Sequence, residues 1–310
     1  MEHGRIIGLI LFGILEIFIG IVVGLIACFA WLGVVVGTGP GGPPPRMLAP
    51  IALLYFALAI GFTILGLGSI MARRWARALI LVLSWLWLII GVVSSIGTMA
   101  MLRASEPLPW GTAAQHAAVR HYEMGCVSVI FGLFLILLPL AFILFYGSPK
   151  VKATVEARDR VHRWTDDVPQ PLLAFGVWMI GGAAGTLMFS FMYPSLPLGP
   201  WTIRGAAVPA VMLAFFALML FIGVGALKRK QTAWWAALAM FMIGAGWAVL
   251  FRTRTNIAAW CRDLGMDPYS GLMNSLFVDP WFYTWLAVFW AAYLVFLLYL
   301  RRYFFAAVRT

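Results

Sequence analysis

Acidic side chains are scarce in this chain of 310 residues: 11 Asp and Glu stand against 22 Lys and Arg, and charged residues of both signs reach only 11%. A soluble domain carries about a quarter charged residues, so an ordinary soluble globular protein is excluded. Cysteine is nearly absent too. Cys28 and Cys126 fall in apolar runs, where a thiol behaves as a small apolar residue, and Cys261 has no obvious loop partner. Without a CxxC pair or zinc-ligand spacing, neither a disulfide framework nor a structural metal is expected. GxSxG, HExxH, Walker A and the dinucleotide glycine signature are all missing. The glycine-rich Gly181–Gly185 lies inside an apolar run with no strand before it, and reads as a helix-packing surface. No catalytic residue, metal or cofactor is expected from these patterns.

What is present is long apolar sequence. Hydrophobic residues make up 63% of the chain, and mean hydropathy is +0.96. A spanning helix needs about 20 mainly apolar residues. Eight such runs are read: Ile6–Val35, Pro50–Met71, Ala78–Met101, Met124–Tyr146, Leu172–Met192, Val208–Leu227, Ala233–Phe251 and Trp281–Leu300. No small-residue cleavage site follows the first, which is therefore expected to be a retained helix. Trp residues such as Trp31, Trp75, Trp201 and Trp235 cluster near run ends, as an interfacial aromatic belt does.

The cations orient these runs. With the N-terminus inside, 15 of the 22 Lys and Arg are cytoplasmic, and the short turns Arg73–Arg77 and Lys228–Lys230 carry the clearest signal. Both termini are expected inside, in a bacterial inner membrane. The net charge of +11 is accounted for by this topology and by contact with anionic lipid, so no nucleic-acid partner is expected.

The runs fall into two sets of four. Phe56-Ala57-Leu58, Gly66-Leu67-Gly68 and Arg73–Leu79 recur loosely as Phe216-Ala217-Leu218, Gly223-Val224-Gly225 and Lys228–Leu238, an offset of about 157 to 160 residues. An even number of spans per set makes both sets enter from the same side, as parallel repeats. The expected fold is all-α: a polytopic membrane protein of eight transmembrane helices in two parallel four-helix repeats, residues 1–146 and 172–310, joined by a cytoplasmic linker, 147–171.

That linker carries Val151-Lys152-Ala153-Thr154, Glu156 and Arg163-Trp164-Thr165-Asp166, then a proline before the next run. In this it resembles uncharacterised multi-pass proteins of environmental bacteria that share a VKATxE…RWTD segment. The resemblance implies cysteines at the places held here by Val155 and Val168, and no activity. Lys150–Val161 is expected to form a short surface helix, with Glu156, Arg163, Trp164 and Asp166 as a docking surface for a cytoplasmic partner. On the outer side, Thr255 is expected to cap a short interfacial helix ending near Gly265, with a second beginning at Asp267-Pro268.

Two places could carry chemistry. Glu16 lies ten residues into the first run, about 15 Å along the helix, and is expected near mid-membrane. An uncompensated acid there costs about 2.5–3.5 kcal/mol, and no Lys or Arg lies within any run to offset it. Outside the runs, Thr112–Glu123 extends the fourth helix outward. There His116 and Arg120 are spaced i,i+4 and Glu123 follows at i+7, an outer-face polar cluster in which Arg120 and Glu123 can pair. His121 points elsewhere, so a metal site is not expected.

Three functions follow. Few polar residues lie inside the runs, while the linker and outer loops offer surface, which favours a structural or accessory subunit of a membrane assembly, with bound lipid and a membrane-protein partner or second copy. Glu16 and the duplication favour a transporter or channel for a small or apolar solute. Outer-loop Arg252, Arg254, Asp263 and Asp267 would serve a lipid-modifying enzyme.

Overall fold

The computed structural model describes residues 2–37, 45–104, 113–192, 195–198, 200–264 and 280–305. Eight of the described helices are long and apolar enough to cross a membrane. This is an all-α polytopic membrane fold. The long helices are α1 (Glu2–Val36), α2 (Pro45–Ile70) and α3 (Arg74–Ala104), then α4 (Ala113–Phe131), which passes through a π-helical segment (Gly132–Leu137) into α5 (Leu138–Gly147). Two linker helices follow, α6 (Pro149–Arg158) and α7 (Trp164–Asp167). The later long helices are α8 (Gln170–Met192), α9 (Ala207–Leu227), α10 (Gln231–Arg254) and α12 (Pro280–Phe305), with the short α11 (Ile257–Leu264) before the last.

Two connecting segments carry features that the sequence analysis did not name. Ser195–Leu198 (β1) and Trp201–Arg204 (β2) form an antiparallel hairpin between α8 and α9. Its Pro197 carbonyl accepts the indole N–H of Trp247, 2.9 Å away. The cap of α11 is Asn256 and not Thr255: the Asn256 side-chain oxygen accepts the Ala259 N–H at 3.0 Å. The second interfacial helix, at Asp267, lies outside the described residues.

Contacts group the chain into two compact units, Met1–Ser84 with Phe142–Tyr193 and Val208–Lys228, and Trp85–Ala141 with Pro194–Ala207 and Arg229–Thr310. Each draws helices from both sequence halves. In the first unit α2 packs on α8, and the linker helix α6 packs on α1.

Glycine decides how the long helices of the first unit cross. A Cβ on Gly66 would lie 2.6 Å from the Gly13 carbonyl oxygen and 2.7 Å from Ile17 Cγ1. One on Gly223 would lie 3.0 Å from the Gly176 carbonyl oxygen and 2.8 Å from Ile180 Cγ1. Seen from the other helix, Gly13 faces Gly66 and Ile70, and Gly176 faces Gly223 and Leu227. The α1–α2 and α8–α9 crossings thus use the same residues at the same spacing, a glycine and the aliphatic residue four positions later on each helix. Such small-residue contacts let backbones approach closely where lipid supplies no hydrophobic drive.

The turns that follow match as well. At the end of α2 the Arg73 N–H donates to the Gly68 carbonyl (2.8 Å) and the Ala72 N–H to that of Ser69 (2.9 Å), with Ala72 at φ +52°. This is a Schellman cap built on a non-glycine residue. Arg229, 157 residues after Ala72, adopts φ +53°.

Candidate functional site

The crossing of α1 and α2 fixes the level of Glu16. Gly66 and Ile70 face Gly13 and Ile17, so Glu16 lies beside the last turn of α2, and its side chain meets Ser69, the penultimate residue of that helix. On the other side it meets Tyr146, the penultimate residue of α5. By this register Glu16 is level with the ends of two neighbouring helices. Helix α1 is long: residues 17–36 supply about 30 Å of helix, one hydrocarbon thickness, and α1 also packs on α6.

Glu16 is fully buried. The Ser69 hydroxyl donates to Oε2 at 2.9 Å, and the Tyr146 hydroxyl donates to Oε1 at 2.6 Å. Both carboxyl oxygens are therefore engaged by groups from two other helices. An aromatic wall closes the place: Phe12 stacks on Phe145 at 4.2 Å and meets Phe142 and Tyr146 edge-on at 5.4 and 5.9 Å. Hydroxyl donors inside apolar packing are what a buried carboxyl needs in the absence of a cation. The trio can hold a proton or exclude one; it also ties three helices.

The matched α8–α9 crossing lacks these groups. Gly176 stands 163 residues after Gly13 and Gly223 stands 157 after Gly66, so Met179 occupies the place of Glu16 and Ala226 that of Ser69. Both are buried. The crossing itself does not require an acid.

A second polar cluster anchors the linker. Asp159, at the C-terminal end of α6, is almost fully buried. Its carboxylate accepts the backbone N–H of Arg74, first residue of α3, at 3.1 Å and the Arg163 guanidinium at 2.7 Å, with Arg73 at 3.5 Å. Arg74 in turn donates to the Glu156 carbonyl at 2.8 Å. Burial by itself raises the Asp159 carboxyl, but the bonds from Arg74 and Arg163, the Arg163 charge and a bond from Val161 outweigh it and hold the group below its ordinary value. The linker thereby supplies an N-terminal acceptor for α3 across the chain.

The expected linker residues divide. Arg163 is taken up by Asp159, and Asp166 accepts the Arg163 backbone N–H at 3.0 Å as a local cap of α7. Glu156 pairs with Lys152 on the surface, and Trp164 is 55% exposed. Val155 and Val168 are both buried. Among the outer cluster, His116, Arg120 and Glu123 all lie on α4 and Glu123 is exposed, while the side chains of His116 and Arg120 lie outside the described residues. The sequence reading missed Ser69, Tyr146 and Asp159. A polar residue within the last three positions of an apolar run was a usable signal for the first two; Asp159, placed four residues before Arg163, was one for the third.

Compared with known proteins, the chain matches no family model, no curated protein and no solved structure.

Proposed function

We propose that this protein is a structural or accessory subunit of a membrane assembly. The observation that carries the reading is Glu16, which has no exposed surface and both oxygens filled by Ser69 and Tyr146. Such a group holds helices together and presents nothing to a passing solute. The reading places the chain in a bacterial inner membrane with both termini cytoplasmic, as the cation distribution favours. It takes residues 1–146 and 172–310 as parallel four-helix repeats joined by the 147–171 linker. The paired glycine crossings and the paired positive-φ turns at Ala72 and Arg229 support that duplication. The partner, a membrane protein or a second copy, would meet the linker face that carries Trp164 and Glu156.

Native mass spectrometry of protein gently extracted from its own membrane tests this. A stoichiometric second polypeptide, or a defined homo-oligomer, is the expected result; a lone monomer overturns it.

One observation favours a second reading, a transporter or channel for a small or apolar solute. Because Met179 and Ala226 build the same crossing without polar groups, Glu16 and its hydroxyls are surplus to packing, and a proton- or cation-linked step accounts for them. Solute flux in proteoliposomes that is unchanged by Glu16→Gln would end this reading.

A further inference from the structure

The two halves differ in how their cations are neutralised. In the first, Asp159 compensates Arg73 and Arg163. In the second, no Asp or Glu occurs between positions 172 and 262 or between 280 and 310. Yet Lys230 is the N-cap of α10, and Arg301 and Arg302 lie in the last turns of α12, the helix packed against it. Among the described residues no carboxylate pairs with any of these three.

The arginines are instead held by aromatic rings. The Trp234 indole N–H donates to the Leu297 carbonyl at 2.9 Å and ties the first turn of α10 to α12. One turn beyond Leu297, the Arg301 guanidinium lies 5.9 Å from the Trp234 ring and 5.5 Å from that of Phe305. Arg302 lies 3.9 Å from the Tyr299 ring and donates one N–H to the Tyr303 hydroxyl at 2.7 Å. Stacking fixes a guanidinium without consuming its charge, and most of its five N–H donors stay available for an oxyanion. Below Arg302, Tyr299, Val295 and Val288 continue along α12 as exposed positions, and Val295 and Val288 are 67% and 54% exposed. Cations at a helix end over an apolar stripe match a phosphate headgroup above its acyl chain.

We propose that this end of α10 and α12 is a binding site for an anionic phospholipid, with Arg301 and Arg302 on the headgroup phosphate and the acyl chain along Tyr299, Val295 and Val288. The site is independent of the function proposed above. The full-length protein, reconstituted in nanodiscs of phosphatidylcholine with a graded fraction of phosphatidylglycerol, is extracted, and the retained lipid is counted by native mass spectrometry. Phosphatidylglycerol should be retained selectively by the wild type. Each arginine near an anionic headgroup contributes about fivefold in affinity, so Arg301→Gln with Arg302→Gln should weaken retention about 25-fold. Arg302→Lys, which keeps the charge but not the fork, should fall between. Lys152→Gln, on the linker helix α6 where Glu156 pairs with it, should leave retention unchanged, with helical content by circular dichroism checking that each variant is folded. Equal retention by the wild type and the double variant, equal retention of phosphatidylcholine, or displacement of phosphatidylglycerol by a small excess of inorganic phosphate would each overturn the proposal.

Discussion

Glu16 and Tyr146 stand 130 residues apart in sequence and 2.6 Å apart in space, the Tyr146 hydroxyl donating to Glu16 Oε1. This bond and the one from Ser69 tie α1 to α5 and to α2. Its counterpart in the second half is a pair of apolar side chains, Met179 and Ala226, and that contrast supplies a direct test of what the trio contributes.

Tyr146→Phe alone should lower the stability of the protein in detergent by about 1–3 kcal/mol, because it leaves a buried carboxyl oxygen without its donor. The triple change Glu16→Met, Ser69→Ala and Tyr146→Phe should recover most of that loss, since replacing all partners by apolar groups leaves no orphan. Thermal unfolding of the wild type, Tyr146→Phe, the double change Glu16→Met with Ser69→Ala, and the triple variant, read as a coupling cycle, checks this. A triple variant less stable than Tyr146→Phe would show that the trio is needed for more than its own satisfaction.

Gly66→Ala and Gly223→Ala should each destabilise by about 1–3 kcal/mol, as the new methyl meets a facing backbone carbonyl that can give way only by separating the helices. The shorter approach at Gly66, 2.6 Å against 3.0 Å to the opposing carbonyl oxygen, makes it the costlier of the two. Gly61→Ala is the control: nothing lies within 4 Å of its added Cβ, so it should be neutral or slightly stabilising. Melting temperatures in one detergent rank the three.

Acid should loosen the linker. The folded-state pKa of Asp159 lies below its unfolded value. Its carboxylate therefore stabilises the fold at every pH above the ordinary Asp value of about 3.9, and that contribution is lost as pH falls through the lower folded value. Hydrogen exchange of residues 149–167, followed from pH 7 downward, should show protection beginning to decline once pH falls below the ordinary Asp value of about 3.9. Asp159→Asn should lose about 2 kcal/mol of local protection already at pH 7 and show a smaller change with pH.

Trp164 and Arg163 are neighbours with opposite expected effects. Trp164→Ala should change stability by no more than about 0.5 kcal/mol, as surface substitutions do, yet weaken any association through the linker. Arg163→Ala should instead reduce linker protection, because it removes the 2.7 Å bond to Asp159. Native mass spectrometry beside hydrogen exchange separates the two effects. A Trp164→Ala protein that keeps full partner occupancy would remove the linker from the interface.

Span positions were legible because they follow from composition: a run of about 20 apolar residues spans whatever it packs against. The expected Val208–Leu227 run and the observed Ala207–Leu227 helix differ by one residue. The linker helix was expected over Lys150–Val161 and runs Pro149–Arg158, with Asp159 extended at its C-cap. The partners of Glu16 were not readable. They come from the far ends of α2 and α5, and no local pattern states which helix lies beside α1 or at what level. How the linker residues divide was not readable for the same reason: a charged side chain near a surface helix looks alike in sequence whether it faces water or, like Arg163, a buried carboxylate.

By itself the sequence determined the class of solvent for this protein, the number of apolar helices, the scarcity of groups able to do chemistry, and the presence of one acid that needed explanation. All of these depend on transfer free energies that each segment carries with it. Tertiary structure alone decided that Glu16 is level with helix ends, that Ser69 and Tyr146 satisfy it, and that Asp159 seats the linker on α3. Those outcomes depend on which glycines let which helices approach, and at what level, because a hydrogen bond forms only where packing brings donor and acceptor within about 3 Å.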